Sequence, residues 1–303
     1  LADGSVVSAN EWEPVQKAFD AVGAMYDLEQ VRLGAFAVTG ARADRAKNNY
    51  GNFYGFMADW KTLPSFLKMA HFHYIQVSRD ASTYEINGDA GVNSQLDKEA
   101  STRIGVTVAG DTAGVDYKAT YAMYSGETST DVATPVKTDI DASMMDLEVG
   151  YSMPAVMNLR VHAGYHMDSG DSAAGGDNET YSGFHYNTYQ NAGLMDVVGW
   201  GNLTYMRAGV ALSPMEDLTV GLEYLMFEKT EKGDSVYGVN GLAVGAAGVA
   251  NEDDIGTELD LVVTKKYSNN FAIQARYGQF APGDAWTNDD TFTQYYLETK
   301  LSF

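Results

Sequence analysis

The chain has 303 residues, 45% of them apolar, with 31 Gly, 20 Tyr and no Cys; 20 Lys and Arg stand against 41 Asp and Glu, a formal charge of −21. The lack of cysteine excludes a disulfide scaffold, a thiolate metal centre and thiol catalysis. The acid excess argues against nucleic acid, which needs clustered Lys and Arg to displace counterions, and the longest weakly polar run, Val236–Asn251, is too short for a membrane helix of about 20 apolar residues.

In chain order, thirteen segments alternate with period two, the signature of strands. They are Val15–Tyr26, Gln30–Thr39, Tyr50–Trp60, Leu67–Ser78, Thr102–Asp111, Val115–Tyr124, Ala142–Met153, Asn158–Met167, Leu203–Ser213, Leu218–Phe227, Gly256–Tyr267, Asn270–Phe280 and Phe292–Phe303. Each has roughly the 9–13 residues that a tilted transmembrane β-strand needs. In Gly256–Tyr267, for example, Leu259, Leu261 and Val263 oppose Glu258, Asp260 and Lys266. Stretches such as Pro64–Met69 are the few that could be read as helix.

The connections alternate too. Short ones, Asp27–Gln30, Leu63–Ser65, Asp111–Gly114, Pro154–Asn158, Pro214–Asp217 and Ser268–Asn269, interleave with long ones, Gly40–Asn49, Arg79–Lys98, Ser125–Ala142, Asp168–Gly199, Glu228–Asp254 and Ala281–Asp290. Tight periplasmic turns and long extracellular loops produce this rhythm. The reading is an all-β chain, an antiparallel up-and-down transmembrane barrel integral to a bacterial outer membrane, with residues 1–303 as one domain. Tyr26, Trp60, Tyr151, Tyr224, Tyr267 and Phe303 fall near strand ends, where aromatic girdles sit, and Phe303 closes the chain like an assembly signal. Single-chain bacterial barrels use even strand numbers, so either a strand is expected before Leu1 or one further strand lies uncounted within the chain; no leader precedes Leu1 in this sequence, and any targeting peptide is expected to have been removed.

The polar faces carry Asp20, Asp116, Asp146, Glu148, Glu223, Glu258, Asp260 and Glu298 against Arg32, Arg103, Lys118, Arg160, Arg207, Lys266, Arg276 and Lys300. Charges at mid-depth cannot face lipid without a penalty of about 2–4 kcal/mol for Arg or Lys, so this balanced set is assigned to the lumen as pore-lining. Glu substitution of Arg207 or Arg276 is then expected to shift selectivity towards cations. The long links hold 23 acidic and 8 basic residues, a field that concentrates cations at the mouth. Asp168–Gly199 has five acids and no base; it reads first as a solvated loop, with a pore constriction or a divalent-cation site as alternatives, since clustered Asp without fixed ligand spacing is a weak calcium signal. No other cofactor is expected. Glu228–Asp254, apolar at its centre, is expected to fold into the lumen or against a partner protein.

Of the histidines, His71 and His73 share a strand face about 7 Å apart, within reach of one metal, whereas His162 and His166 are about 13 Å apart; His185 lies in a long link. A structural or lumen role is expected for them. No cluster in the sequence brings a nucleophile and base together, so the chain is read as no enzyme.

Three places carry a resemblance to a known family: Glu11–Val22 (EWEPVQKAFDAV), Gly256–Trp286 with its GTELDLVV run and YSNNFAIQARYGQFAPGDAW, and the terminal YLETKLSF (Tyr296–Phe303). These resemble the alginate export domain family of outer-membrane barrels. The resemblance implies further strands upstream, a complete barrel of roughly 14–18 strands and an aqueous channel. Its usual polyanionic cargo sits poorly with the acidic links. The functional expectation is a porin-like channel passing small hydrophilic solutes or saccharides; the alternative is a scaffold barrel that binds a protein partner through residues 228–254.

Overall fold

The computed structural model describes residues 18–42, 52–79, 82–85, 93–96, 98–129, 136–172, 176–182, 192–239, 241, 243–244 and 251–302. These form fifteen strands and no helix: β1 (Ala18–Asp27), β2 (Val31–Arg42), β3 (Asn52–Trp60), β4 (Leu67–Arg79), β5 (Ser82–Glu85), β6 (Asn93–Leu96), β7 (Lys98–Thr112), β8 (Val115–Ser129), β9 (Lys137–Met153), β10 (Leu159–Asp168), β11 (Leu203–Met215), β12 (Leu218–Lys229), β13 (Asp254–Ser268), β14 (Phe271–Pro282) and β15 (Phe292–Leu301). Thirteen make one antiparallel sheet in chain order, while β5 and β6 pair with each other as a hairpin outside it. The sheet is not closed: β1 and β15 are its edges.

Directly opposite residues of an antiparallel pair point to the same side, so the registers carry one face through the whole wall. On β12, Leu222, Tyr224 and Met226 are on the outer face and 43%, 44% and 41% exposed. Pairing joins them to Val210, Ala208 and Met206 on β11 and to Leu261, Leu259 and Thr257 on β13. The outer face of the other strands is also apolar and exposed, with Val106, Tyr121, Met123, Val149 and Leu297 among its side chains. A soluble sheet would cover such a belt; a lipid-facing wall requires it. The inner face holds charge at the short-turn end and, towards the long links, a buried cluster that includes Met144, Tyr205, Leu225, Phe227 and Phe280.

Short turns close one end. Between β7 and β8 the two-residue loop Ala113–Gly114 has φ of 52° and 84°, the doubly left-handed backbone of a type I′ hairpin, which glycine adopts without strain. Tyr26, Trp60, Tyr151 and Tyr267 stand exposed at this end as the girdle reading expects, whereas Tyr224 sits mid-strand. Phe303 and Leu1–Lys17 lie outside the described residues.

At the β11–β12 turn, the Lys265 ammonium bonded to Asp217 holds that carboxyl below its ordinary value of 3.8. A depressed folded value means stabilisation at neutral pH that disappears as the pH falls below the ordinary value. Asp217→Asn should therefore lower the urea midpoint slightly at pH 7 and match the native chain in acid well below 3.8; an equal difference at both pH values would tell against the pair.

The strands flanking the links at 79–98 and 125–142 run further than the alternation suggests. β7 begins at Lys98, β8 ends at Ser129 and β9 begins at Lys137. Beyond the hydrocarbon layer both faces of a strand meet polar surroundings, so Thr128, Ser129, Thr138 and Asp139 pair in register without a period-two signal.

Candidate functional site: the inner face

Pairing places the expected charges together. Arg32 opposes Asp59 on β3, Arg103 opposes Tyr124 on β8, and Lys118 opposes Glu148 on β9. Asp116, Asp146, Arg160 and Arg207 follow on the same face. Glu223 opposes Asp260, with Glu258 two residues before Asp260. Arg276, Glu298, Lys266 and Lys300 complete the face through β14 and β15. Asp20 is the exception: it falls in the register shift between Phe19 and Ala21, has no opposite residue, and is two positions from the outward Val22. The extra residue of this irregularity is on β2, so the period-two step of β1 sets Asp20 on the side of Val22.

On β8 to β11 the charges form a ladder. Asp116 accepts from Arg160 Nη2 and Nε at 2.6 and 3.0 Å, and Arg160 also reaches Glu148 at 2.7 Å. Arg207 lies 2.9 Å from Glu148 and 3.4 Å from Asp146. Asp146 meets His166 Nδ1 at 3.2 Å, and His166 Nε2 stands 3.1 Å from Asp168. Beside it His162 pairs with Glu223 at 2.7 Å. Elsewhere Arg276 meets Glu298 at 2.9 Å, Arg32 meets Asp27 at 2.9 Å, and Arg103 lies 3.9 Å above the Tyr124 ring with Glu99 at 3.4 Å. Gly164 and Gly150, with no side chains, give room for the Arg207 and Arg160 guanidinium groups that lie across them. With Arg32, Arg103, Arg160, Arg207 and Arg276 each beside a carboxylate, this surface offers paired donors and acceptors rather than one sign of charge.

Two long links fold inward over the upper inner face. In residues 169–202, Ala192, Met195, Val198 and Trp200 are buried in the cluster, together with Val236 from residues 230–253 and Ala285 from the last link. The first of these links thus departs from the solvated loop expected of it. The described part of the second turns inward, as one of its two readings held; residues 240, 242 and 245–250 of the proposed partner segment lie outside the described residues. Asn202 ties the links together: its Nδ2 donates to the carbonyls of Glu231 and Ser235 at 3.0 and 3.1 Å, and its Oδ1 accepts from Glu231 N at 2.7 Å. Asp234 adds bonds from Thr180 Oγ1 at 2.6 Å and Tyr237 OH at 2.9 Å.

Asp59, Glu99, His166 and Asp168 belong to this face without having been chosen from the sequence. Asp168 continues the two-residue step His162, Gly164, His166, a signal obscured because it also opens a link rich in Asp and Gly. His71 is bound to Asp59 at 2.6 Å, its ring 5.7 Å from that of His73. Among the described residues no group of three or more His, Asp or Glu is placed to hold a metal ion; His185 lies outside them. Of the link acids, Glu179 is taken up by Ser172 and Asp253 by Lys232.

The model of one family, described as alginate export, matches residues 1–298. No curated protein matches the chain. Among solved structures, Pseudomonas aeruginosa OccK3 (OpdO) is similar with a TM-score of 0.60 at 14% identity, covering 98% of this chain and 72% of its own. P. aeruginosa OccK5 (OpdH) gives 0.60 at 13%, over 100% and 75%. The outer-membrane protein OprD of the same organism gives 0.56 at 11%, over 98% and 72%. At such identities the likeness is one of fold, a porin wall.

Proposed function

The chain belongs to the alginate export family and is an integral outer-membrane β-barrel channel for solute passage, and from that premise we propose that its cargo is small, hydrophilic and of mixed or no net charge. The observation that carries this reading is the ladder Asp116–Arg160–Glu148–Arg207–Asp146–His166–Asp168, in which every cation is already matched by carboxylates. Such a surface exchanges hydrogen bonds with a hydrated sugar or a zwitterion at little penalty, while a polyanion meets no free basic track and an acidic mouth. Of the sixteen charges assigned from the sequence, Asp20 stands apart and Glu258 and Asp260 are buried beneath residues 192–202; the others enter this proposal as lining groups.

The partly exposed lower rung is the place to test it. Planar-bilayer reversal potentials under a salt gradient should show weak selectivity for the native channel. Arg160→Gln should move the preference towards cations and Asp116→Asn towards anions, because each changes the net charge of the rung by one unit, the first by removing a positive charge and the second a negative one. Identical reversal potentials in all three would remove the ladder from the solute path.

A further inference from the structure

We infer that the inward segment 192–202 sets the width of the passage and that Glu258 and Asp260 are the positioning residues that hold it. This rests on the channel reading above. The two carboxylates are neighbours on the inner face of β13 and are 0% and 3% exposed. Among the described residues no Lys or Arg is ion-paired with either. What they bind is backbone: Leu194 N donates to Glu258 at 2.6 Å and to Asp260 at 3.1 Å, and Met195 N donates to Glu258 at 2.9 Å.

A carboxylate withdrawn from water is tolerated where fixed N–H dipoles replace its hydration. The N–H groups of an irregular segment need acceptors just as much, having no strand ladder to supply them. Glu258 Oε1 and Asp260 Oδ2 thus supply the acceptors that the Leu194 and Met195 N–H groups need, and the bond set is specific to one position of the segment. Sterics agree. Gly193 has φ of +87° and its absent side chain is where the Glu258 carboxylate lies; Gly278, opposite Asp260, likewise leaves the space taken by the Met195 side chain. At its far end the segment is pinned again, with Trp200 stacked 4.8 Å from His166, which stacks 4.7 Å from Tyr205 on its own wall.

Pinned at both ends, the segment lies across the long-link half of the inner face, whereas Asp116 and Glu298 near the short turns keep 36% and 46% of their side-chain surface. A solute passing along this wall meets its narrowest point at the segment. Loss of the carboxylates frees it without altering the lower ladder.

The test uses the full-length chain in planar bilayers and in liposomes swollen with neutral sugars of graded size, with unboiled gel migration as the folding control. Glu258→Leu acts from the wall and Gly193→Ala from the segment; both should give a several-fold rise in single-channel conductance and admit larger sugars. Glu258→Gln keeps an oxygen to accept from Leu194 and Met195 and should restore native conductance. Val197→Cys, between the two pins and partly exposed beside the cluster in a chain that has no other thiol, should lose current stepwise when a charged methanethiosulfonate is added, which reads out the segment even if a pin variant fails to fold. A conducting native chain with folded but unchanged Glu258→Leu and Gly193→Ala, or with an unresponsive Val197→Cys, overturns this inference alone. A silent native chain with silent variants overturns the channel reading as well. A silent native chain opened by either pin variant supports the inference.

Discussion

Arg207→Ala is expected to lower the unfolding free energy of the barrel in liposomes by about 3–5 kcal/mol, the loss typical of breaking a buried ion pair from one side. The Arg207 side chain is 14% exposed and touches two acids that are themselves 13% and 26% exposed. Asp146 also carries His166, whose other nitrogen faces Asp168. Removing one cation therefore leaves an acid-rich stretch of wall with no matching charge at its centre. Urea titration followed by Trp fluorescence reads the change directly. Adding Glu148→Gln to the variant should recover part of the loss, since one of the stranded acids goes with it; the non-additivity of the pair measures the rung. A loss no larger than roughly 1 kcal/mol would place Arg207 in the regime of exposed pairs and make the ladder a solvated fringe. The same burial bears on how Arg207→Glu should be read. A selectivity change there would be mixed with damage to the wall, which is why the exposed Arg160 is the better probe of the passage.

The period-two pattern made the wall legible because each strand divides two solvents, lipid and lumen, and a one-residue slip would exchange them. Glu258, Asp260 and Leu261 already show that division in the sequence, and pairing of Glu223 with Asp260 turns it into geometry. Asp20 was assigned inward for its charge, although two-residue steps join it to the outward Val22 and Tyr26. What the sequence concealed was the use of the links. Met195 sits in a stretch whose Gly, Asp and Asn content reads as solvated, and it is held by Glu258 of β13, 63 residues later. A single chain read in order has no signal for such a contact. The pairing of Glu258 with backbone rather than with a Lys or Arg was equally hidden, since charge counting looks for an opposite charge and not for an amide.

Tyr224→Arg is expected to destabilise the barrel by about 2–4 kcal/mol, and Tyr26→Arg by no more than about 1 kcal/mol. Both side chains are on the outer face, 44% and 65% exposed, so solvent exposure alone would rank them the wrong way round. Depth separates them. Tyr224 is mid-strand, opposite Ala208 and Leu259, where an arginine must carry its charge into hydrocarbon or drag water after it. Tyr26 is beside the short turn after β1, where the guanidinium can reach the headgroup layer and exchange one amphipathic anchor for another. The comparison needs both variants in the same lipid, with urea midpoints and slopes recorded. Equal losses at the two sites would mean that the apolar belt does not lie in a bilayer core. The expected ratio would fix which way round the wall is built: apolar outside, ladder inside, with the pinned segment standing between the mouth and the charged half of the passage.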